Sequence, residues 1–295
     1  MNQFNPPSLS ELDRVVQAAL AEDAPWGDAT CDLLVPADRM ARGSIRAREA
    51  GVFCGGPLVR SAMRLSCADL LVETLVQDGE PFLAGAELMR IQGPAAPMLT
   101  AERVALNLAQ RLSGIATATR SFVDAVRGSG ARIVDTRKTT PGLRALERYA
   151  VRCGGGFNHR FSLSDAVMVK DNHLALLAAQ GPDGLTRALS QARRRLPHTV
   201  HFEVEVDRVG QIEPVLAAGV DTILLDNFSL TDLAEGVRIV AGRALVEASG
   251  NVRLETVREI ARTGVDLISS GALTHSVRAL DLGFDLENSN LDSGS

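Results

Sequence analysis

HFEVEV at residues 201–206 is the first of four apolar runs that recur at intervals of about 20 residues, followed by TILL (222–225), ALVEA (244–248) and DLIS (266–269). Helical stretches such as 254–263 separate these runs. Repetition of an apolar run and a helical stretch is typical of βα units, whose strands lie parallel in one sheet. The sequence therefore predicts a parallel α/β architecture.

Two earlier runs, RIVD (132–135) and AVMV (166–169), extend the repeat to six units. The runs end in polar or small residues, and an α/β barrel carries its active site at the carboxyl ends of its strands. An open doubly wound sheet also binds ligands there, but no GxGxxG pattern follows the first strand, so a dinucleotide-binding half has little support. We therefore expect a barrel with a site at its mouth.

The N-terminal part of the chain has a different pattern. Apolar residues at helical spacing from Ser8 to Ala21 predict a surface helix capped by Ser10. Short alternating stretches broken by glycines between about 43 and 92 predict a small sheet-containing domain. The segment 100–127 predicts two bridging helices interrupted at Ser113-Gly114. The predicted domains are 1–115, an N-terminal α/β domain with a bridging helix; 116–286, an α/β barrel; and 287–295, a disordered tail.

Composition argues against several classes of protein. A formal net charge of −5 and only 4% aromatic residues argue against a nucleic-acid partner. The four cysteines form no CxxC pair and no framework of the secreted type, which favours reduced thiols. The N-terminus lacks a signal-peptide pattern, and no apolar run is long enough to span a membrane. We expect a cytoplasmic protein.

The chain has only two lysines among its 31 Lys and Arg residues, and both follow predicted strands. Mutation pressure in a GC-rich genome explains the ratio but not this placement, since an ammonium differs from a guanidinium in reach and hydration. Five cations lie at or just beyond the first two strands and suit a small ligand with two carboxylates, plus phosphates, although solvated surface charges are the alternative. They are Arg137, Lys138, His159, Arg160 and Lys170.

Carboxylates are predicted at the same rim. Glu203 and Glu205 share one face of a strand, which points into a barrel whose outer face packs on helices. We expect Glu205 to meet a ligand and Glu203 to anchor a lysine deeper down, because an inward charge needs a partner. Asp226 ends the next strand, although it could instead cap the following helix. Such oxygens suit Mg²⁺ bound through substrate phosphates and water, with no direct protein ligand.

Small residues at three further places permit close approach of the backbone to a ligand. The run Gly154–Gly156 is either a flexible connector or a substrate loop. Two small-residue turns end the last two strands, where barrels bind phosphate, although plain tight turns are the alternative. They consist of Ser249, Gly250 and Asn251, and of Ser270, Gly271 and Ala272.

Several motifs together resemble the nicotinate-nucleotide pyrophosphorylase (carboxylating) family, also called quinolinate phosphoribosyltransferase. The likeness leaves out only the first few residues and the tail. It is carried by TRKTTPG (136–142), GGG (154–156), NHR (158–160), KDNH (170–173), EVEV (203–206), LDNF (225–228) and GALT (271–274), with Glu22-Asp23, Gly27-Asp28 and Ala101-Glu102-Arg103 nearer the start.

The resemblance implies an N-terminal α/β sandwich domain and an incomplete α/β barrel, the type II phosphoribosyltransferase fold. It implies an enzyme of de novo NAD biosynthesis that joins quinolinate to phosphoribosyl pyrophosphate with Mg²⁺ and releases nicotinate mononucleotide, pyrophosphate and CO2. It also implies a homodimer or hexamer in which Arg103 reaches the neighbouring subunit's site.

The resemblance also implies residue roles. Glu205 and Asp226 face the ribose and its magnesium-bound pyrophosphate, and Lys138 assists decarboxylation by placing or protonating the ring carbon. The 5-phosphate lies on Ser249, Gly250, Asn251, Ser270, Gly271 and Ala272. Quinolinate is held by Arg103, Thr136, Arg137, Lys138, His159, Arg160 and Lys170.

Two alternatives stay open. A molybdenum-transport (ModD-like) paralogue shares the fold but is expected to differ in the TRKTTPG and NHR stretches, which are intact here. A non-catalytic binder of dicarboxylates or phosphates is the other, and it gains nothing from acids such as Glu205 and Asp226 at the rim.

Overall fold

The computed structural model describes residues 5–178 and 184–287. The tail 287–295, for which the sequence predicts disorder, lies outside the described residues except for Glu287. The helices are α1 (Leu9–Asp23), α2 (Ala29–Leu34), α3 (Gly56–Ser66), α4 (Ala95–Ala125), α5 (Arg144–Cys153), α6 (Asp171–Ala178), α7 (Gly184–Arg195), α8 (Ile212–Leu216), α9 (Leu230–Val240), α10 (Leu254–Arg262) and α11 (Ala272–His275). The strands are β1 (Met40–Ala47), β2 (Gly51–Val52), β3 (Leu71–Thr74), β4 (Pro81–Phe82), β5 (Glu87–Pro94), β6 (Arg132–Val134), β7 (Val167–Val169), β8 (Phe202–Val206), β9 (Thr222–Asp226), β10 (Leu245–Ser249), β11 (Leu267–Ser269) and β12 (Leu282–Leu286).

The chain forms two compact units. The predicted boundary after residue 115 falls inside α4, and the division of the chain at 115 and 286 stays a prediction. Within the described residues, the first unit comprises 5–120, 140–155 and 276–287, and the second comprises 121–139, 156–178 and 184–275.

The first unit contains an antiparallel sheet of order β12-β1-β5-β3. Ile45 of β1 lies opposite Phe284 of β12 and Met89 of β5, and both Ile45 and Met89 are buried. A Cβ on Gly43 would lie 2.9 Å from Cε1 of Phe284, so this glycine makes room for the ring. The sheet-containing N-terminal domain is therefore confirmed, whereas the C-terminal strand β12 was not predicted.

Helix α1 is confirmed, but its predicted cap is wrong. The side chain of Ser8, not Ser10, accepts the N–H of Glu11 at 3.3 Å, so Ser10 lies inside the first turn. The spacing Ser-x-x-Glu from Ser8 to Glu11 is that of a capping box, which favours the earlier serine. Leu12, Val15 and Val16 are the buried face of this helix.

The prediction of two bridging helices is also wrong, because α4 continues through Ser113-Gly114. The hydroxyl of Ser113 accepts the N–H of Cys54 at 3.0 Å and donates to its carbonyl at 3.1 Å. A Cβ on Gly114 would collide with the carbonyl oxygen of Arg278. Ser113 therefore hydrogen-bonds to a neighbouring segment and Gly114 leaves room for another, and neither residue breaks the helix.

The second unit contains a parallel six-stranded sheet of order β6-β11-β10-β9-β8-β7. Counted along the chain within this unit, neighbouring strands in the sheet are the first, sixth, fifth, fourth, third and second. This is the strand order of a barrel that is open between its first and second strands. The predicted α/β fold with an incomplete barrel is thus confirmed.

Strand alternation places the polar residues of this barrel inside. On β9, Ile223 and Leu225 are buried on the outer face, where Gly236 of α9 lets the helix approach so closely that a Cβ would lie 2.7 Å from Cδ1 of Leu225. The residues that alternate with them, Thr222 and Leu224, line the interior. The same alternation turns Glu203 and Glu205 of β8 inward.

Candidate active site

A cavity of about 390 Å³ lies at the carboxyl ends of the barrel strands, and we call it the mouth cavity. It brings together the five predicted cations and the predicted acids Glu205 and Asp226. Its lining residues are Thr136, Arg137, Lys138, His159, Arg160, Met168, Lys170, Glu205, Leu224, Asp226, Glu247, Ser249 and Ser269.

A buried carboxylate fixes the loop that carries His159 and Arg160. Asp135, directly after β6, is fully buried and accepts the Nδ2–H of Asn158 at 2.6 Å and the N–H of His159 at 2.7 Å. The loop backbone pairs with the same strand end, since the N–H of Asp135 donates to the carbonyl of Phe157 at 3.0 Å. The two cations therefore lie beside β6, although they follow it by more than 20 residues in the chain.

The backbone and side chain of Lys138 are both held in place. Its N–H donates to Oγ1 of Thr136 at 3.0 Å, and its carbonyl accepts the hydroxyl of the buried Thr274 at 2.7 Å. A Cβ on Gly271 would lie 2.8 Å from Cδ of Lys138 and 3.0 Å from the ring of His275. Gly271 therefore gives the lysine side chain room to enter the mouth cavity.

The prediction that Glu203 anchors a lysine is wrong. Its Oε2 lies 3.0 Å from Nε2 of His159, whereas Nζ of Lys170 lies 3.2 Å from Oε2 of Glu205. Residues two apart on a strand are separated by about 7 Å along it, so a lysine at the rim reaches only the outer glutamate. The deeper carboxylate is partnered by the imidazole.

The two acids at the rim lie in different environments. Burial raises the pKa of Glu205, although the charge of Lys170 and their hydrogen bond oppose that shift. Asp226 ends β9, and its Oδ2 accepts the side-chain N–H of Asn227 at 2.7 Å. Both carboxylates face the mouth cavity, so the alternative in which Asp226 only caps a helix is not needed.

The six predicted phosphate-binding residues are placed unevenly. Ser249 lines the mouth cavity, while the other five are not among its lining residues. Gly250 has φ +87° and Asn251 has φ +51°, and Nδ2 of Asn251 donates to Oδ1 of Asn227 at 3.0 Å. Ser270 is buried with its hydroxyl on the carbonyl of Val252 at 3.4 Å, and Ala272 begins the short helix α11.

Arg103 lies on α4 in the first unit and is not among the residues that line the mouth cavity. Its side chain is 59% exposed, and Nη2 lies 3.8 Å from Oε1 of Glu102. Its contribution to a neighbouring subunit's site stays a prediction.

Sequence reasoning missed Glu247 and Ser269 of the mouth cavity. Glu247 interrupts the apolar run ALVEA, two residues before the predicted Ser249 on the same strand face. Applying to β10 the alternation used for Glu203 and Glu205 would have predicted that Glu247 points inward.

This arrangement can bind a small polyanion and stabilise a cation next to it. Arg137, Arg160 and Lys138 provide donors that suit carboxylate oxygens. Burial and the neighbouring charge of Arg137 lower the pKa of Arg160. On the opposite side, the carboxylates of Glu205 and Asp226 can stabilise positive charge. None of the described helices has the length and apolar character needed to cross a bilayer.

Known proteins share both the sequence and the fold. Residues 28–113 match the family model of the quinolinate phosphoribosyl transferase N-terminal domain, and residues 115–285 match that of its C-terminal domain. The nicotinate-nucleotide pyrophosphorylase [carboxylating] of Mycobacterium leprae is 44% identical over 277 residues, covering 92% of this chain and 95% of the relative. A mitochondrial quinolinate phosphoribosyltransferase [decarboxylating] of Nicotiana tabacum is 40% identical over 303 residues, covering 97% and 85%.

Among solved structures, NadC from Streptococcus pyogenes superimposes with a TM-score of 0.90 at 39% identity, covering 96% of this chain and 99% of that one. The family models together match most of the chain, and the relatives agree with them over nearly its whole length. The chain therefore belongs to the quinolinate phosphoribosyltransferase family.

Proposed function

We propose that this protein transfers the phosphoribosyl group of phosphoribosyl pyrophosphate to quinolinate with loss of one carboxylate, giving nicotinate mononucleotide, pyrophosphate and CO2. Its relatives are named for this activity. The observation that carries the proposal is one cavity of about 390 Å³ whose walls include four Lys and Arg side chains, His159 and two acidic rim residues.

The cations bind the acceptor. Quinolinate has two adjacent carboxylates, and we assign them to Arg137, Lys138, Arg160 and Lys170, with Thr136 at the edge of the set. His159 lines the same cavity and supports the set by accepting the N–H of Arg160. Charge-assisted hydrogen bonds of this kind are strong and directional. Holding the ring by its carboxylates places the pyridine nitrogen against C1 of the ribose and supplies the proximity contribution to catalysis.

The acids act on the donor. Cleavage of the bond from C1 to pyrophosphate leaves positive charge on the sugar, which the carboxylates of Glu205 and Asp226 stabilise electrostatically. The charge of Lys170 near Glu205 limits this effect until the lysine turns to a substrate carboxylate. Ser249 is the best placed of the predicted residues for the 5-phosphate, because it lines the cavity.

Magnesium fits the acidic side of the mouth cavity. Glu205 and Asp226 offer hard oxygen atoms, and one oxygen of each is already engaged by Lys170 or Asn227. We therefore assign the ion to substrate phosphates and water, with these residues beside it. When bound, it neutralises charge on the leaving pyrophosphate.

Three further assignments rest on the family resemblance. Lys138 assists decarboxylation by placing the ring carbon that loses its carboxylate. The ribosylated ring nitrogen favours this loss because it draws the bonding electrons towards itself. Arg103, exposed on α4, completes the site of a neighbouring subunit in a homodimer or hexamer. The enzyme works in the cytoplasm, as the family resemblance implies.

Separate substitutions of the cations and of the rim acid Glu205 test their assigned roles in binding the acceptor and the donor. We expect Lys138→Ala and Arg160→Ala to lose turnover with unchanged thermal unfolding, because each removes a charge that holds the acceptor. Glu205→Ala should mainly impair use of phosphoribosyl pyrophosphate. An exposed arginine of the first unit, Arg42→Ala, is the control. Wild-type rates of nicotinate mononucleotide formation in all three variants would refute the assignment.

A further inference from the structure

A second cavity of about 430 Å³ lies at the amino ends of the barrel strands, and we call it the lower chamber. Arg132 and His201 line it and are exposed, so it reaches solvent at that end of the barrel. Three side chains, those of His159, Arg160 and Glu247, line both this chamber and the mouth cavity. They form the partition between the two.

Two carboxylates are buried at this partition. Glu203 and Glu247 have side-chain exposures of 5% and 2%, and their Oε2 atoms lie 3.0 and 3.8 Å from Nε2 of His159. In the described part of the chain, the Oε1 atoms of both are buried without a hydrogen-bond partner. Barrel interiors are normally filled by branched apolar side chains, and two buried like charges this close cannot both remain ionised. The pair therefore retains a proton.

Glu247 is the residue that keeps it. Burial first, and then the charge of Glu203, raise the pKa of Glu247 to about 7, with a smaller contribution from Asp135 in the same direction. His159 and the hydroxyl of Ser269 oppose the shift. Near neutral pH, Glu247 is thus protonated in a substantial fraction of the molecules, and it faces the mouth cavity on one side and the lower chamber on the other.

A metal ion is a poorer occupant of this cluster than a proton. Ligand atoms of His159, Glu203 and Glu247 lie within 4.8 Å of one another. However, Nδ1 of His159 accepts the N–H of Arg160 at 2.8 Å, so the ring proton lies on Nε2 and points to Glu203. A metal on Nε2 requires the proton on Nδ1, where it would face the Arg160 N–H. The hydrogen bond to the ring therefore favours shared protons.

We propose that Glu247 donates the proton that replaces the carboxylate lost from the pyridine ring, and that it regains this proton from water in the lower chamber. This inference rests on the proposed function. As the bond between ring C2 and the carboxylate carbon breaks and CO2 leaves, the electron pair of that bond takes the proton of Glu247. The C2–H bond thus forms while the O–H bond of Glu247 breaks, and the resulting Glu247 carboxylate takes a proton from water.

Other side chains of the mouth cavity are less suited to this step. Lys138, Lys170 and Arg160 must stay charged to hold anions, and the acids at the rim must stay ionised to stabilise the sugar. The Nε2–H of His159 points away from the mouth, towards Glu203. Of the three described residues that line both cavities, only Glu247 has a transferable proton that is neither directed at Glu203 nor needed to hold an anion.

Single-turnover measurements on Glu247→Gln test the proposal, because glutamine keeps the size of the side chain but has no acidic proton. Pyrophosphate release and CO2 release are followed separately after mixing enzyme with quinolinate, phosphoribosyl pyrophosphate and Mg²⁺. We expect pyrophosphate release within about twofold of wild type and CO2 release slowed about 100-fold, the usual size of a general-acid contribution. Ribosylated quinolinate should accumulate and be seen by mass spectrometry. Glu235→Gln, the same change on an exposed helix position, is the control.

A pH profile of the wild-type enzyme gives a second reading that needs no variant. The rate of CO2 release should fall as the pH rises through about 7, where Glu247 loses its proton, whereas the rate of pyrophosphate release should not fall over that range. The proposal would be overturned by equal CO2 and pyrophosphate rates in Glu247→Gln, by an equal loss of both, or by a CO2 rate that does not fall over that pH range. A wild-type enzyme that forms no nicotinate mononucleotide would instead overturn the proposed function.

Discussion

Replacing Gly271 by alanine should impair catalysis through Lys138 with little effect on the fold. The added Cβ would lie 2.8 Å from Cδ of Lys138, whereas unstrained carbon contacts are about 3.5–4.0 Å, so the lysine must retreat by roughly 1 Å. A displacement of about 1 Å in a binding group can cost about 100-fold in rate, or about 2.7 kcal/mol of transition-state stabilisation. The atom that moves belongs to a flexible side chain, so the thermal unfolding midpoint should change by less than about 2 °C.

The assay is the initial rate of nicotinate mononucleotide formation over a range of quinolinate concentrations, at saturating phosphoribosyl pyrophosphate and Mg²⁺. We expect kcat/KM for quinolinate to fall about 100-fold. Because the chain has only two lysines, labelling with an amine reagent can report on Lys138 with Lys170 as an internal reference. Gly210→Ala is the matched control, since a Cβ there meets nothing within 4 Å.

Two results would refute this reasoning. A kcat/KM within about twofold of wild type would mean that the position of Lys138 is unimportant. A rise confined to the KM for phosphoribosyl pyrophosphate would mean that Gly271 acts on the phosphate, as the family resemblance implies, and not on the lysine.

Three other predictions concern the helix α4, a buried ion pair and the rim acid. Gly114→Ala should lower the unfolding temperature, because a Cβ at this position collides with the Arg278 carbonyl. Such overpacking costs about 1–3 kcal/mol, which outweighs the gain of about 1 kcal/mol in helix propensity. A higher midpoint of thermal unfolding would contradict this. Glu147→Ala should lower the free energy of unfolding in urea by about 3 kcal/mol, since the buried carboxylate is 2.6 Å from Nη2 of Arg111, and a loss below about 1 kcal/mol would count against it. Burial raises the pKa of Glu205 above its ordinary value of 4.5. As the solution is acidified, kcat/KM for phosphoribosyl pyrophosphate should therefore begin to fall at a pH above 4.5. A fall that starts only below that pH would be inconsistent with the burial of this carboxylate.

The barrel and most of its mouth could be predicted because strand periodicity is a local property. The apolar runs gave the strands β6 to β11, and the polar residues at their ends gave the cations and the rim acids. Alternation along β8 correctly turned Glu203 and Glu205 inward. Motif resemblance then added the reaction, which neither periodicity nor charge could supply.

What could not be predicted depends on contacts between distant parts of the chain. Ser113-Gly114 has the composition of a helix break, yet Ser113 is a hydrogen-bond partner of Cys54 and Gly114 leaves room for the carbonyl of Arg278. The partner of Glu203 is an imidazole 44 positions away along the chain, held in place by the buried Asp135. Pairing of β12 with β1 joins segments more than 200 residues apart, so no local sequence pattern predicts it.

The stoichiometry of the wild-type reaction tests the central claim most directly. Purified protein is mixed with phosphoribosyl pyrophosphate, Mg²⁺ and either quinolinate or nicotinate, and nicotinate mononucleotide, pyrophosphate and CO2 are quantified. The account predicts equal amounts of the three products with quinolinate and little product with nicotinate, which lacks the second carboxylate that the cations hold. Turnover of nicotinate at a comparable rate, or binding of quinolinate without any pyrophosphate release, would contradict it.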